Sequence, residues 1–273
     1  MEQKQLNRKR IVELNKVPLF VQYLNSFKGA KYYPPYLSLS TGKVVGYFFF
    51  LTAIVTLLSI VVPTIGYIVG IGGIGQYMQE HVPEFSLQNG MLAIEEVVEY
   101  ENGNTRIYIS SDVETYSKDD LNPKLSMEFL AGKHNAMINV DGVVSEIRYK
   151  DYNTLSMDKE GLLKNTPLFY LSLVFVFIAG YFGQAIYIIS TVLLLAVIGL
   201  MSNSMYQFKL QFGQLMRLAV YATTILCTLE AVNRALNLIS VTIASVVGMV
   251  WTAFVFFGAV TVCGQLKNMG KIR

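Results

Sequence analysis

Apolar and polar positions divide this chain into long uncharged runs and one block of alternating character. No charged residue lies between Lys43 and Glu80, between Lys164 and Lys209, or between Arg234 and Lys267. Each gap exceeds the roughly 20 residues that a helix needs to cross the hydrocarbon core of a bilayer. A shorter uncharged run, 218–229, reaches that length with its flanks. The pattern predicts crossings at about 44–67, 215–232 and 238–262, with Pro63 and the glycines at 66, 70, 72, 73 and 75 loosening the far end of the first. The run Thr166–Met205 is too long for one straight crossing at about 1.5 Å per residue, yet only Gly180, Gly183 and Gln184 interrupt it. It is expected to make one net crossing, as a long tilted helix or as an interfacial piece followed by a normal one.

From about 76 to 165 the period shortens to alternation. Asn89-Gly90, Asn102-Gly103 and Asp141-Gly142 each stand between short runs containing apolar residues. These dipeptides favour tight hairpin turns, whose central positions need positive φ. The block predicts five to eight short strands and one helix near 119–130, enough for a modest core. Before the first crossing, Val17, Phe20, Val21, Leu24 and Phe27 recur at helical spacing in VPLFVQYLNSF. This segment either lies in the membrane interface or packs on the protein's own cytoplasmic ends. Tyr32, Tyr33, Pro34, Pro35 and Tyr36 then form an aromatic lead-in suited to headgroups.

Composition sharpens this picture. Only 15% of the residues are charged and 53% are hydrophobic, against roughly 25% charged in soluble domains. The net charge of +3 hides an asymmetry: 1–43 is strongly basic, 76–165 is acidic, and the Lys209–Arg217 loop and the tail are basic again. Basic flanks stay inside, which places both termini in the cytoplasm and 76–165 outside. The expected fold class is an α-helical multi-pass plasma-membrane protein of four transmembrane helices, five being the alternative, with a β-rich extracytoplasmic domain inserted between helices 1 and 2. Its segments are a basic cytoplasmic stretch with an interfacial helix (1–43), helix 1 (44–75), the β-rich domain (76–165), helices 2–4 (166–263) and a basic tail (264–273). The first apolar run begins too late for a cleaved secretory signal and is expected to be a retained anchor. Cys227 and Cys263 both fall in the apolar C-terminal part, so no disulfide framework is expected in the β-rich domain.

Candidate chemistry is sparse. His81 and His134 are the only histidines and both lie in the β-rich block, so an intramembrane HExxH zinc site is excluded and no metal or other cofactor is expected. No serine elbow or phosphate loop is found. The nearest approach to a site is TLEAVNRALN, where Glu230 and Arg234 stand four apart, on one helical face and within reach of an ion pair. The spacing resembles the E-xxx-R half of the motif of the CAAX-processing and bacteriocin-protection membrane proteases, but Leu229 stands where that family has its first glutamate. Charge topology favours a different reading: the pair marks the outer end of the third crossing, bonded to each other at the headgroups. Contact with other helices or a partner is the alternative. Arg217, one turn inside the inner boundary, is expected to snorkel to lipid phosphates. Gly248, Ala253 and Gly258 on the last crossing suggest close helix packing.

The order of these parts resembles an uncharacterised family of Gram-positive membrane proteins: a basic start, VPLFVQYLNSF with its Tyr/Pro stretch, one crossing, VPEFSLQNGML, and a K-x(7)-R-LAVYATT run entering a later crossing. Some of its members are described as maltodextrin (maltodextrose) utilization proteins. GQLMRLAVYATT also looks like the more distant Yip-type membrane superfamily, which acts in membrane organisation. The first resemblance implies a non-enzymatic accessory or regulatory role in ABC-type maltodextrin uptake, with importer membrane subunits as partners beside membrane lipid. It implies no functional residues. Against this stand a transporter or channel in its own right and a Yip-type scaffold; no nucleic-acid partner is expected.

Overall fold

The structure is a computed structural model that describes residues 17–152 and 156–271; the basic stretch 1–16 and the last two residues of the basic tail lie outside the described residues. Four of its helices are long and apolar enough to cross a membrane: α2 (Thr41–Gly70), α5 (Thr166–Met205), α6 (Phe212–Leu236) and α7 (Val241–Asn268). Shorter helices are α1 (Leu19–Ser26), α3 (Ile74–His81) and α4 (Lys159–Lys164). The described residues form two compact units, which divide the chain between 67 and 68 and between 172 and 173; the first is helical and the second is the unit 68–172.

In the helical unit α6 is the central element and is buried on most sides, whereas α2, α5 and α7 leave broad apolar surface exposed. Glycine decides how closely α6 and α7 approach: a Cβ at Gly248 would stand 2.8 Å from Leu226 Cδ1 and 3.3 Å from its Cα. The backbone N–H of Leu226 also donates to Thr252 Oγ1 across the same contact (3.1 Å). Gly199 admits Phe256 in the same way. Asparagines close both connections of α6. Asn203 bonds the N–H and carbonyl of Leu210, and Asn233 bonds those of Ile239. Cys227 and Cys263 are buried and free.

Two local expectations are refined. Thr166–Met205 is one unbroken helix, because Gly180 and Gly183 weaken a helix without supplying a turn. The disturbance expected around Pro63 falls one turn earlier, as a π-helical turn at Leu57–Val61. Proline has no N–H and its ring crowds the carbonyl four residues back, so the ladder adjusts there.

Among the described residues of the unit 68–172, eight strands form two sheets, β2-β1-β8 and β3-β4-β5-β6-β7. The three-stranded sheet holds β1 (Phe85–Gln88), β2 (Met91–Ile94) and β8 (Met157–Asp158). The larger one holds β3 (Val98–Asn102), β4 (Thr105–Ile109), β5 (Met127–Ala131), β6 (Asn135–Val140) and β7 (Val143–Arg148). β4 and β5 pair in parallel, and the other strand pairs of the described residues are antiparallel. All three hairpins fall where the dipeptides stand. Asn89-Gly90 and Asp141-Gly142 take positive φ at both residues, while the second turn is centred one residue later, with Gly103 at φ 57°. The helix expected near 119–130 is replaced by a 3-10 turn, Lys118–Asp120, followed by β5. Pro123 interrupts the helical pattern, and β5 gains two strand partners instead.

Register gives the larger sheet two apolar faces. Val98, Ile109, Ala131, Ala136 and Ile147 form one row across all five strands. Tyr108, Leu130 and Met137 lie on the opposite face, where Leu121 and Tyr116 cover them. Glu128 is buried in this unit, its Oε2 accepting from the N–H of Asn122 (2.6 Å) and its Oε1 from Arg106 Nη1 (3.3 Å).

Candidate functional site

The charges singled out along α6 are held in different ways. Glu230 is 8% exposed. Its Oε1 accepts from Ser245 Oγ of α7 (2.7 Å) and its Oε2 from the Tyr187 hydroxyl of α5 (3.0 Å), so one carboxylate ties three helices. Arg234 is exposed, and among the ion pairs of the described residues none joins it to Glu230. The expected local pair therefore gives way to interhelical bonds. Hydroxyls already fixed by helix packing replace the hydration of the carboxylate without ordering a long arginine side chain. Glu230 stands six residues before the end of α6, about 9 Å along the axis.

Arg217 sits near the other end of α6. Its Nη1 donates to the carbonyls of Leu37 (2.9 Å) and Leu39 (2.6 Å), and its Nη2 to Thr41 Oγ1 (3.3 Å). The side chain does not simply snorkel outward, as the sequence suggested. It clamps the end of a short 3-10 turn, Pro34–Ser38, supplying donors to carbonyls at a place where helical bonds run out.

Between these charges lies a buried polar cluster that reading the sequence missed. The Tyr221 hydroxyl donates to Gln22 Oε1 (2.6 Å), Tyr36 donates to the Gln22 carbonyl (3.1 Å) and Tyr33 to the Ser26 carbonyl (3.0 Å). Tyr47 shares hydrogen bonds with Ser26 (3.3 Å) and Thr224 (2.6 Å), and Tyr23 with Thr228 (3.0 Å). Tyr36 stacks on Tyr221 with ring centres 3.8 Å apart. Helix α1 is thus packed polar side inward, against the middle of α6. Phe20, Val21 and Leu24 face out, exposed at 57, 40 and 47%, while Tyr23 is buried and Leu19 packs against the core. One signal was available: Gln22 and Ser26, four apart, mark a polar stripe opposite the apolar one.

The unit 68–172 contains a half-open apolar cavity of about 410 Å³. The row from Val98 to Ile147 forms one wall, and Phe85, Leu87, Leu92 and Ile94 of the small sheet line it as well. Its polar lining is confined to His81 and Tyr149, and burial pushes the Tyr149 phenol up to about 12. The two histidines have separate local partners: His81 stacks on Tyr77, while His134 Nε2 lies 3.0 Å from Glu114. The Lys133 ammonium beside Glu114 holds its carboxyl below the usual carboxylate range. Among the described residues no group of three or more His, Cys, Asp or Glu side chains is arranged to hold a metal ion.

Among the described residues, four helices of membrane-crossing length and composition and two β-sheets make this a multi-helix chain with an inserted β domain, an architecture consistent with a membrane protein. The chain belongs to the family described as "Protein of unknown function (DUF1189)", whose model matches residues 20–260. No curated protein and no solved structure matches the chain.

Proposed function

We propose that this is a non-enzymatic plasma-membrane protein, accessory or regulatory to ABC-type carbohydrate uptake, which acts through its β domain. Both termini are cytoplasmic and 76–165 is extracytoplasmic, a placement supported by the basic flanks and the acidic block. The proposed partners are the membrane subunits of a maltodextrin importer, a choice that rests on the resemblance of VPLFVQYLNSF, VPEFSLQNGML and the LAVYATT run.

The observation that carries the reading is a contrast in how the two units use polar groups. In the helical unit, Gln22, Ser26, Tyr47, Tyr221, Thr224 and Glu230 are bonded to one another or to neighbouring helices, which suits a fixed support. The β domain instead keeps an open, almost wholly apolar cleft. A sugar would need several converging hydrogen-bonding groups, whereas apolar side chains of a protein partner would not. Co-purification from detergent extracts tests this: importer membrane subunits come down with the wild type. No association, together with unchanged maltodextrin uptake in a deletion strain, overturns it.

The burial of Glu230 between three helices supports a second reading, a transporter or channel subunit in its own right. Flux into proteoliposomes that is abolished by Glu230→Gln would select it.

A further inference from the structure

A second cavity lies in the helical unit, where α2, α5 and α6 meet; its volume is about 360 Å³, within the roughly 300–1,000 Å³ of small-molecule sites. Its lining is ordered along the helices. Thr41 and Gly213 belong to the first turns of α2 and α6, and Arg217 follows one turn later. Val45, Phe48, Ile189, Met216 and Val220 make up most of the remainder. Phe48 and Val220 stand seven residues beyond Thr41 and Gly213, about 10 Å deeper along their helices. One end of the cavity is therefore cationic and polar, and the rest is apolar.

The charge at that end is not neutralised locally. Arg217 bonds two carbonyls and a hydroxyl, all uncharged, and among the described residues it has no acidic partner within ion-pair distance. Lys43 and Lys209 add positive charge at the same end of the chain's helices, and the first turns of α2 and α6 bring the positive ends of two helix dipoles. Such an arrangement fits a ligand that is anionic at one end and hydrocarbon at the other.

We propose that this cavity binds one anionic phospholipid, with the phosphate at the guanidinium of Arg217 and Thr41 and an acyl chain running past Val45, Phe48 and Val220. A free anion would leave the apolar part unfilled. An uncharged hydrocarbon would leave the guanidinium uncompensated. The lipid answers both, as basic pockets between membrane helices do elsewhere.

The test uses the full-length protein purified in detergent, with phosphatidylglycerol and phosphatidylcholine titrated separately and retention read by native mass spectrometry. One phosphatidylglycerol should be retained per chain in clear preference to phosphatidylcholine, and millimolar inorganic phosphate should not displace it. Arg217→Gln should weaken retention by about tenfold, since charge-assisted hydrogen bonds are lost. That residue also clamps Leu37 and Leu39, so a second variant probes the cavity without touching the clamp: Gly213→Phe, where an added Cβ meets nothing within 4 Å. It should weaken retention comparably by filling the polar end of the cavity, where the phosphate would sit, with thermal stability unchanged. Retention by Gly213→Phe equal to the wild type overturns the proposal. Displacement by phosphate, or equal binding of both lipids, overturns it as well.

Discussion

Replacing Glu230 by leucine removes the acceptor for both the Tyr187 and the Ser245 hydroxyls, at 3.0 and 2.7 Å. Two effects oppose each other. Interhelical hydrogen bonds in membranes contribute about 0.6 kcal/mol on average and about 1.7 at most, so the pair contributes about 1–3 kcal/mol. Burying an ionisable group costs energy, and well-packed apolar replacements of buried charged groups often stabilise by about 1–4 kcal/mol. Here both carboxylate oxygens are matched and the residue retains 8% exposure near a helix end, which lowers the desolvation term. The bonds should therefore win: Glu230→Leu destabilises by about 1–3 kcal/mol. Glu230→Gln, with one acceptor oxygen in place of two, should lose about half as much. Unfolding in mixed detergent micelles, followed by helical circular dichroism, measures both. A Glu230→Leu protein as stable as the wild type, or more stable, refutes the view that this carboxylate is a tie between helices.

Three further outcomes follow from the packing. Tyr221→Phe removes the 2.6 Å bond to Gln22 and should cost about 1 kcal/mol; combined with Gln22→Leu, which breaks that bond and the one from Gln22 Nε2 to the Val17 carbonyl, the loss should be less than the sum of the two in the same unfolding assay. Gly248→Leu introduces a side chain whose Cβ alone would stand 2.8 Å from Leu226 Cδ1 and should cost about 1–3 kcal/mol by forcing α6 and α7 apart, read as a lowered thermal midpoint. In the β domain, Glu128→Ala strands the N–H of Asn122 and removes the partner of the part-exposed Arg106 guanidinium; a loss of about 1–3 kcal/mol should appear as early protease cleavage near 122 while the long helices persist.

Much of the fold was legible because its causes are local. Uncharged length predicts a membrane-type helix from composition alone, and Asn-Gly or Asp-Gly predicts a hairpin because those residues tolerate positive φ. The parallel pairing of β4 with β5 was not legible, since it joins strands across a connection whose 3-10 turn and Pro123 resemble a helix start followed by a break. The candidate site was legible only as a set of charges. Glu230, Arg234 and Arg217 stand out against an apolar background, but their partners Tyr187, Ser245, Leu37 and Leu39 come from distant sequence. An i,i+4 rule sees only neighbours on one helix, and here interhelical hydroxyls outcompeted the neighbour. Helix α1 shows the same limit: its apolar stripe is a real face, but the polar stripe decides which side packs inward.

The proposal that the β domain docks on carbohydrate-uptake machinery is tested most directly at the rim of its cleft. Ile147 is 37% exposed there and ends the apolar row, so Ile147→Lys should leave the sheet folded while placing a charge where an apolar partner would sit. The measurement is recovery of maltodextrin importer membrane subunits with affinity-purified wild type and Ile147→Lys from the same membranes. Docking through the cleft requires recovery with the wild type and a loss of about tenfold with the variant, equivalent to about 1.4 kcal/mol. No recovery with the wild type, or equal recovery with both proteins, contradicts it.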